Sequence, residues 1–415
     1  RRIKFTVYLF YRKSTHKLLN KNDSCYHAQV ISCYIKLFMR KTLFKIHSWI
    51  ALIAIIPLIV ISITGSVLVF KSEIDGLLMP SSHFVVKALP ERMPIDKLIA
   101  KTEHAFPSYI VGSWEIFNDD TADRVYLIER GTDTWYKFHI NQYSGEILSQ
   151  PVSTSHYFTD WFLELHYTFL LNDFKNLPGQ TGTVLGFFFA LFLLVLGVTG
   201  LIIYRKFWQR LFSVRWRATL QIVLSDIHKM TGVIGSPIII ILAITGGYFN
   251  WAVWYHEVIE HAEEEHFVLT KNLHSSDISF QHILDDSKKQ IPTFNGTFLV
   301  MPLEPDENIT LFGEVDTSNP LASEYANTVS YDKHTGEHLT NWDIREVGIG
   351  WQVIDSFRKL HFGYFAGLIS KILWCVIGLS PVWLAGTGFY LWFTRRRRKK
   401  QSQKNRFNKR STARA

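Results

Sequence analysis

Cysteine is scarce in this sequence. Only Cys25, Cys33 and Cys375 occur in 415 residues, and none falls within 71–182 or 252–361. Those stretches have no disulfide framework and must fold by burying cores of their own. No G-x-G-x-x-G or Walker pattern occurs, which argues against an in-chain nucleotide site of either kind. No Ser-His-Asp or paired-carboxylate site can be read from spacing. No cleavable signal pattern is present, because the first apolar run is too long and has no small-residue cleavage site behind it. Acidic residues are nearly absent from three stretches: 1–46, 205–225 and 395–415 hold 11, 5 and 11 Lys/Arg against one acid, Asp23.

What is abundant is apolar and aromatic residues, 47% and 15% of the chain, beside 20% charge. Four uncharged runs account for this: Trp49–Phe70, Gly182–Tyr204, Met230–Tyr255 and Ile372–Thr394. Each has at least 22 residues, and about 20 apolar residues span a bilayer core. Four transmembrane helices are expected, and Pro57, Pro237 and Pro381 are tolerable within them. Basic loops stay on the cytoplasmic side, so both termini and the 205–225 loop are expected there. The stretches 71–182 and 252–361, with 34 Asp/Glu against 16 Lys/Arg, then face outward. The tail Arg395–Lys400 reads as a topology anchor rather than a nucleic-acid patch.

The chain repeats itself. His47 is followed by Thr64-Gly65 after 17 and 18 residues, and His228 by Thr245-Gly246 at the same spacing. Residues 95–107 and 280–292 both show helical apolar spacing and end at a proline. Strand-like alternation follows near 109–117, 123–130 and 134–141, and again near 296–302, 308–315 and 325–332. Turns are expected at Ser144-Gly145 and Thr335-Gly336. DWFLELH ends at His166 and DSFRKLH at His361, and Thr199-Gly200 and Thr387-Gly388 close the helices that follow. The fold class expected is a mainly α membrane protein with internal two-fold duplication: a four-transmembrane-helix bundle with two small outward α+β domains, each one helix on an antiparallel sheet.

The expected boundaries are an N-terminal extension over 1–38 (disordered or spurious, with Met39 as a natural start), helix 1 over 39–71 and a first outward domain over 72–160. An interfacial segment with helix 2 spans 161–204, the basic loop 205–225 and helix 3 226–255. A second outward domain spans 256–354, an interfacial segment with helix 4 355–394, and the basic tail 395–415.

HSWIALIAIIPLIVISITGSVLVFKSEID, LSDIHKMTGVIGSPIIIILAITG and LHFGYFAGLISKILWCVIGL resemble the signatures of the PepSY-associated transmembrane family, over nearly all of residues 39–398. That family includes iron-regulated inner-membrane proteins and ferric-siderophore reductases, the latter resembling four-helix di-haem proteins. The resemblance implies PepSY-like outward domains in the periplasm and a multi-pass place in the bacterial inner membrane. Some relatives carry a fused flavoprotein reductase domain, which is not expected within these 415 residues.

Two histidines fall on each side, His47 and His228 at cytoplasmic helix ends, His166 and His361 at outer ends. A b-type haem takes one or two imidazoles from opposing helices, so the expectation is two b-type haems. His47 with His228 would ligate the cytoplasmic-side iron, and His166 with His361 the periplasmic-side iron. His166 lies 16 residues before its uncharged run and His361 10 before Lys371, so the outer pair is expected on a short interfacial helix or an extended helix end. Thr-Gly is read as helix packing, with direct haem contact as the other possibility. The stretch from His256 to His266, with Glu257, Glu260, His261, Glu264 and Glu265, reads as a solvated helix face, with metal ligation as the other possibility. Trp114, Trp135, Trp251, Trp254, Trp342 and Trp351 fit belt and core roles better than a ligand cleft.

The function expected is haem-dependent reduction of a periplasmic ferric chelate (a ferric-siderophore). A separate electron donor, quinol or a cytoplasmic flavoprotein reductase, would supply it from within the lipid bilayer or below it, with no nucleic-acid partner. The alternative is a PepSY-type binding and regulatory protein that restrains a protease or other partner without redox activity. A permease is disfavoured by the few intramembrane charges.

Overall fold

The structure, a computed structural model, describes residues 23–79, 85–204, 211–260 and 267–412. Among the described residues three helices are long and apolar enough to cross a membrane, falling within Thr181–Ile203, Leu220–Ile259 and Gly367–Asn408. A fourth span exists if a bent pair counts as one: α1 (Asp23–Ile53) and α2 (Ile55–Leu68) meet at an angle of 69°. The break lies at Ala54. Pro57 stands in the first turn of α2, where its missing N–H and its ring prevent the ladder from continuing onto Ile53. The first helix already begins at Asp23, inside the segment expected as an extension.

The chain then runs through α3 (Lys71–Leu78), α4 (Ile95–Ala105), β1 (Tyr109–Glu115), β2 (Asp123–Glu129), β3 (Trp135–Ile140) and β4 (Val152–Ser153). A short helix α5 (Phe158–Thr168) leads to the membrane helix α6 (Thr181–Ile203). After α7 (Leu220–Tyr255), which takes Pro237 in its interior, comes a π-helical turn at His256–Glu260. The second half repeats the order: α8 (Phe280–Gln290), β5 (Asn295–Val300), β6 (Ile309–Glu314), β7 (Asn327–Tyr331), β8 (His338–Trp342), then α9 (Ile349–Phe362), α10 (Gly367–Gly378) and α11 (Ser380–Thr412).

The two extramembrane α+β halves meet edge to edge. All eight strands form one antiparallel sheet in the order β4-β3-β2-β1-β5-β6-β7-β8. The halves join where β1 pairs β5, with Trp114 opposite Leu299 and Glu115 opposite Phe298. One face carries Val111, Trp114, Val125, Leu127, Leu299, Leu311 and Val329 into a single core under α4 and α8. The helices interlock at their starts, since Asp96 on α4 accepts from the Phe280 N–H at 2.6 Å and the Ser279 hydroxyl at 2.7 Å. Buried Asp123 accepts from the Trp114 Nε1 at 2.7 Å and pairs with Arg92, which satisfies the charge under the sheet.

Both expected turns use a left-handed glycine, Gly145 at φ 70° and Gly336 at φ 74°, a region that costs other residues more. The outcomes differ. After Gly336 the chain pairs as β8, whereas after Gly145 only an isolated Ile140–Ile147 bridge forms before the two-residue β4.

Candidate histidine site and cleft

The four histidines are held by the four threonines of the Thr-Gly pairs. His47 Nδ1 lies 2.9 Å from the Thr199 Oγ1, and His166 Nδ1 2.9 Å from the Thr64 Oγ1. In the second half His228 Nδ1 lies 2.8 Å from Thr387 Oγ1, and His361 Nδ1 2.8 Å from Thr245 Oγ1. Every one of these hydroxyls also donates its proton to the carbonyl four residues back: Thr64 to Val60, Thr199 to Val195, Thr245 to Ile241 and Thr387 to Trp383. A hydroxyl has one proton, so each threonine must accept from the imidazole. The neutral rings therefore carry Nδ1–H and turn an Nε2 lone pair elsewhere. The Ile61 carbonyl, 3.1 Å from His166 Nδ1, enforces the same tautomer.

The glycines make room for the rings. A Cβ on Gly65 would lie 2.8 Å from His166 Cε1, and one on Gly246 2.9 Å from His361 Cε1. At Gly388 and Gly200 the distances to His228 and His47 are 3.4 and 3.7 Å. The Thr-Gly pairs, read from sequence as helix packing, thus position histidines. The signal was their recurrence, 17 and 18 residues after His47 and again after His228, although Thr64 and Thr245 each hold a different histidine from the one that precedes them.

His166 on α5 and His361 on α9 come together, with ring centroids 6.3 Å apart. Both stand on short helices distinct from the membrane helices that follow. In the membrane region His47 stands at the Thr199 hydroxyl of α6 and His228 at the Thr387 hydroxyl of α11. Of the stretch from His256 to His266, the residues 261–266 lie outside the described residues, as do 1–22 of the N-terminal extension and 205–210 of the basic loop.

Buried charges tie α5 and α9 to the sheet. Lys71 reaches Asp75 at 2.7 Å, Thr159 at 2.7 Å and Asp160 at 3.0 Å, while Lys137 of β3 also pairs with Asp160. Burial pushes the Asp160 carboxyl up, but Lys137 and then Lys71 outweigh it and hold the group below its ordinary range. In the other half Asp355 of α9 accepts from the Ser323 N–H at 2.8 Å and its hydroxyl at 2.6 Å, and Arg358 donates to Glu324 at 2.9 Å.

The sheet face opposite the core leaves a cleft of about 780 Å³ between the halves, bordered by Arg358 of α9. Arg124, Tyr126 and Trp135 line it from the first half, and Phe298, Phe312 and Tyr325 from the second. Trp114 is buried in the core and Trp342 packs edge to face on Trp351 at 5.6 Å, so of these only Trp135 belongs to the cleft.

A helical membrane region carrying an extramembrane α+β sheet defines a multi-pass membrane protein with an extramembrane α+β head. The chain belongs to the PepSY-associated transmembrane family: the PepSY-associated TM region matches residues 44–395. No curated protein matches it.

The expectation of a di-haem electron-transfer protein that reduces an external ferric chelate is corrected. Among the described residues no three His, Cys, Asp or Glu side chains converge where they could hold a metal ion. The function is read instead from the sheet.

Proposed function

We propose that the chain is a membrane-anchored binding and regulatory protein whose sheet engages a partner outside the bacterial inner membrane, a protease in the first instance, and restrains it. The observation that carries this reading is the joining of two distant four-stranded halves, through β1 and β5, into one broad sheet with a cleft across the junction. A head that only braced the helices would not need that cleft. The charge partition of the loops supports four spans with both termini cytoplasmic. The twice-repeated Thr–His bonds support descent from a duplicated unit. Purified full-length chain in lipid nanodiscs, added to the exported-protein fraction of its own cells, should lower casein hydrolysis in a dose-dependent way. Hydrolysis equal to that with empty nanodiscs would count against the reading.

For the histidines we propose a cofactor assignment that carries no reductase reading: a b-type haem between His47 and His228, and another between His166 and His361. A haem iron can take two axial imidazoles. The residues fit the group in that the 6.3 Å separation of the outer rings lets them share one iron. The Thr bonds also leave each Nε2 as the ligating atom, the arrangement usual for metal-bound histidine. A pyridine-haemochrome assay on protein from haem-replete cells should give two haems per chain; colourless protein would refute the assignment.

A further inference from the structure

The cleft on the open face of the sheet is built from both halves and has a defined chemistry. Its volume of about 780 Å³ lies within the ~300–1,000 Å³ of ligand sites. Phe298 meets Tyr126 at 6.4 Å and Tyr325 at 5.8 Å between ring centroids, and Phe312 lies 6.4 Å from Tyr325, which makes a continuous aromatic wall. Two guanidinium groups stand in that wall. Arg124 gives an N–H to Glu115 at 2.8 Å, and Arg358, over the Tyr325 ring at 4.3 Å, gives one to Glu324 at 2.9 Å. The charges therefore cancel, and an occupant needs no net charge.

Hydrogen-bonding capacity does not cancel. A guanidinium has five N–H donors, while each carboxylate takes one from its arginine, and Glu324 is also engaged by the Tyr364 hydroxyl at 2.8 and 2.9 Å. The surplus is of donors. The complementary ligand presents several carbonyl oxygens on an uncharged frame and aromatic or apolar groups to the rings, since buried donors are costly to leave unmade.

We infer that this cleft binds a short, uncharged peptide segment, its carbonyls on Arg124 and Arg358 and its side groups against Tyr126, Phe298, Phe312 and Tyr325. The inference rests on the binding reading above and names the part of the partner that is held. Arg358 stands one helical turn before His361 on α9, so an occupant of the cleft touches the helix that carries the histidine.

The test uses detergent-solubilised full chain and an acetyl-Gly-Tyr-Gly-Tyr-Gly-amide probe, read by titration calorimetry. Saturable one-site binding is expected, weakened at least about tenfold by Phe312→Ala and by Arg358→Lys and unchanged by Trp351→Ala, which sits on the same helix outside the cleft. Far-UV circular dichroism and melting check that the variants fold. Absence of saturable binding, binding insensitive to both cleft variants, or binding of 4-hydroxyphenylacetate but not of the peptide would each overturn the inference. If the nanodiscs still lowered casein hydrolysis in that event, only the cleft inference would fall; if hydrolysis too were unaffected, the regulatory reading would fall with it.

Discussion

At the scale of single residues, the Thr-Gly pairs decide whether the histidines can stand where they do. Placing a methyl on Gly65 drives it into His166, and on Gly246 into His361, contacts below 3.0 Å that force movement. Overpacking of this kind costs about 1–3 kcal/mol. Gly65→Ala and Gly246→Ala should lower the melting temperature, whereas Gly386→Ala, with nothing within 4 Å of its new methyl, should be neutral or slightly stabilising. Equal melting of all three would refute the close-approach role. The histidines and the Thr-Gly spacing were legible in the sequence because they recur twice. The hydrogen bonds between them were not, because each spans more than a hundred residues and a spacing along one helix does not say which neighbour it faces.

At the scale of elements, α5 and α9 are held by charge as much as by packing. Lys137 and Asp160 are both nearly inaccessible, and removing one member of a buried pair costs about 3–5 kcal/mol. Asp160→Asn should therefore loosen α5, seen as faster proteolysis near residue 160. The sign of the pH dependence follows from the depressed carboxyl. Its contribution is complete above the unfolded value of 3.8 and is lost as the pH falls through the lower folded value. The wild-type chain should lose protection of α5 on acidification below about pH 4, and Asp160→Asn should show no such step. The helices 95–105 and 280–290 and most strands were readable from periodicity. The 69° break in the first span was not, because a proline in an apolar run marks a possible bend without giving its angle.

At the scale of the whole molecule, the two expected α+β halves are present, and what the sequence reading did not contain is their edge-to-edge joining into one sheet. Pairing of β1 with β5 joins residues nearly two hundred positions apart, and local alternation carries no information about such partners. The consequence is that Ser113, Glu115 and Phe298 share one face, and the cleft exists only when both halves are present. Reporter fusions after Thr394 and near residue 215 should read cytoplasmic, and fusions near 120 and 315 outward. An outward reading at 215 would reverse the sidedness on which partner engagement depends.

The regulatory reading is tested most directly by the lifetime of an unstable exported reporter in cells with and without the chain. Deletion should shorten that lifetime, the wild-type chain should restore it, and a chain carrying Phe312→Ala with Arg358→Lys should restore it only in part. A lifetime unchanged by deletion, under conditions where the chain is shown to be present in the membrane, would contradict the account.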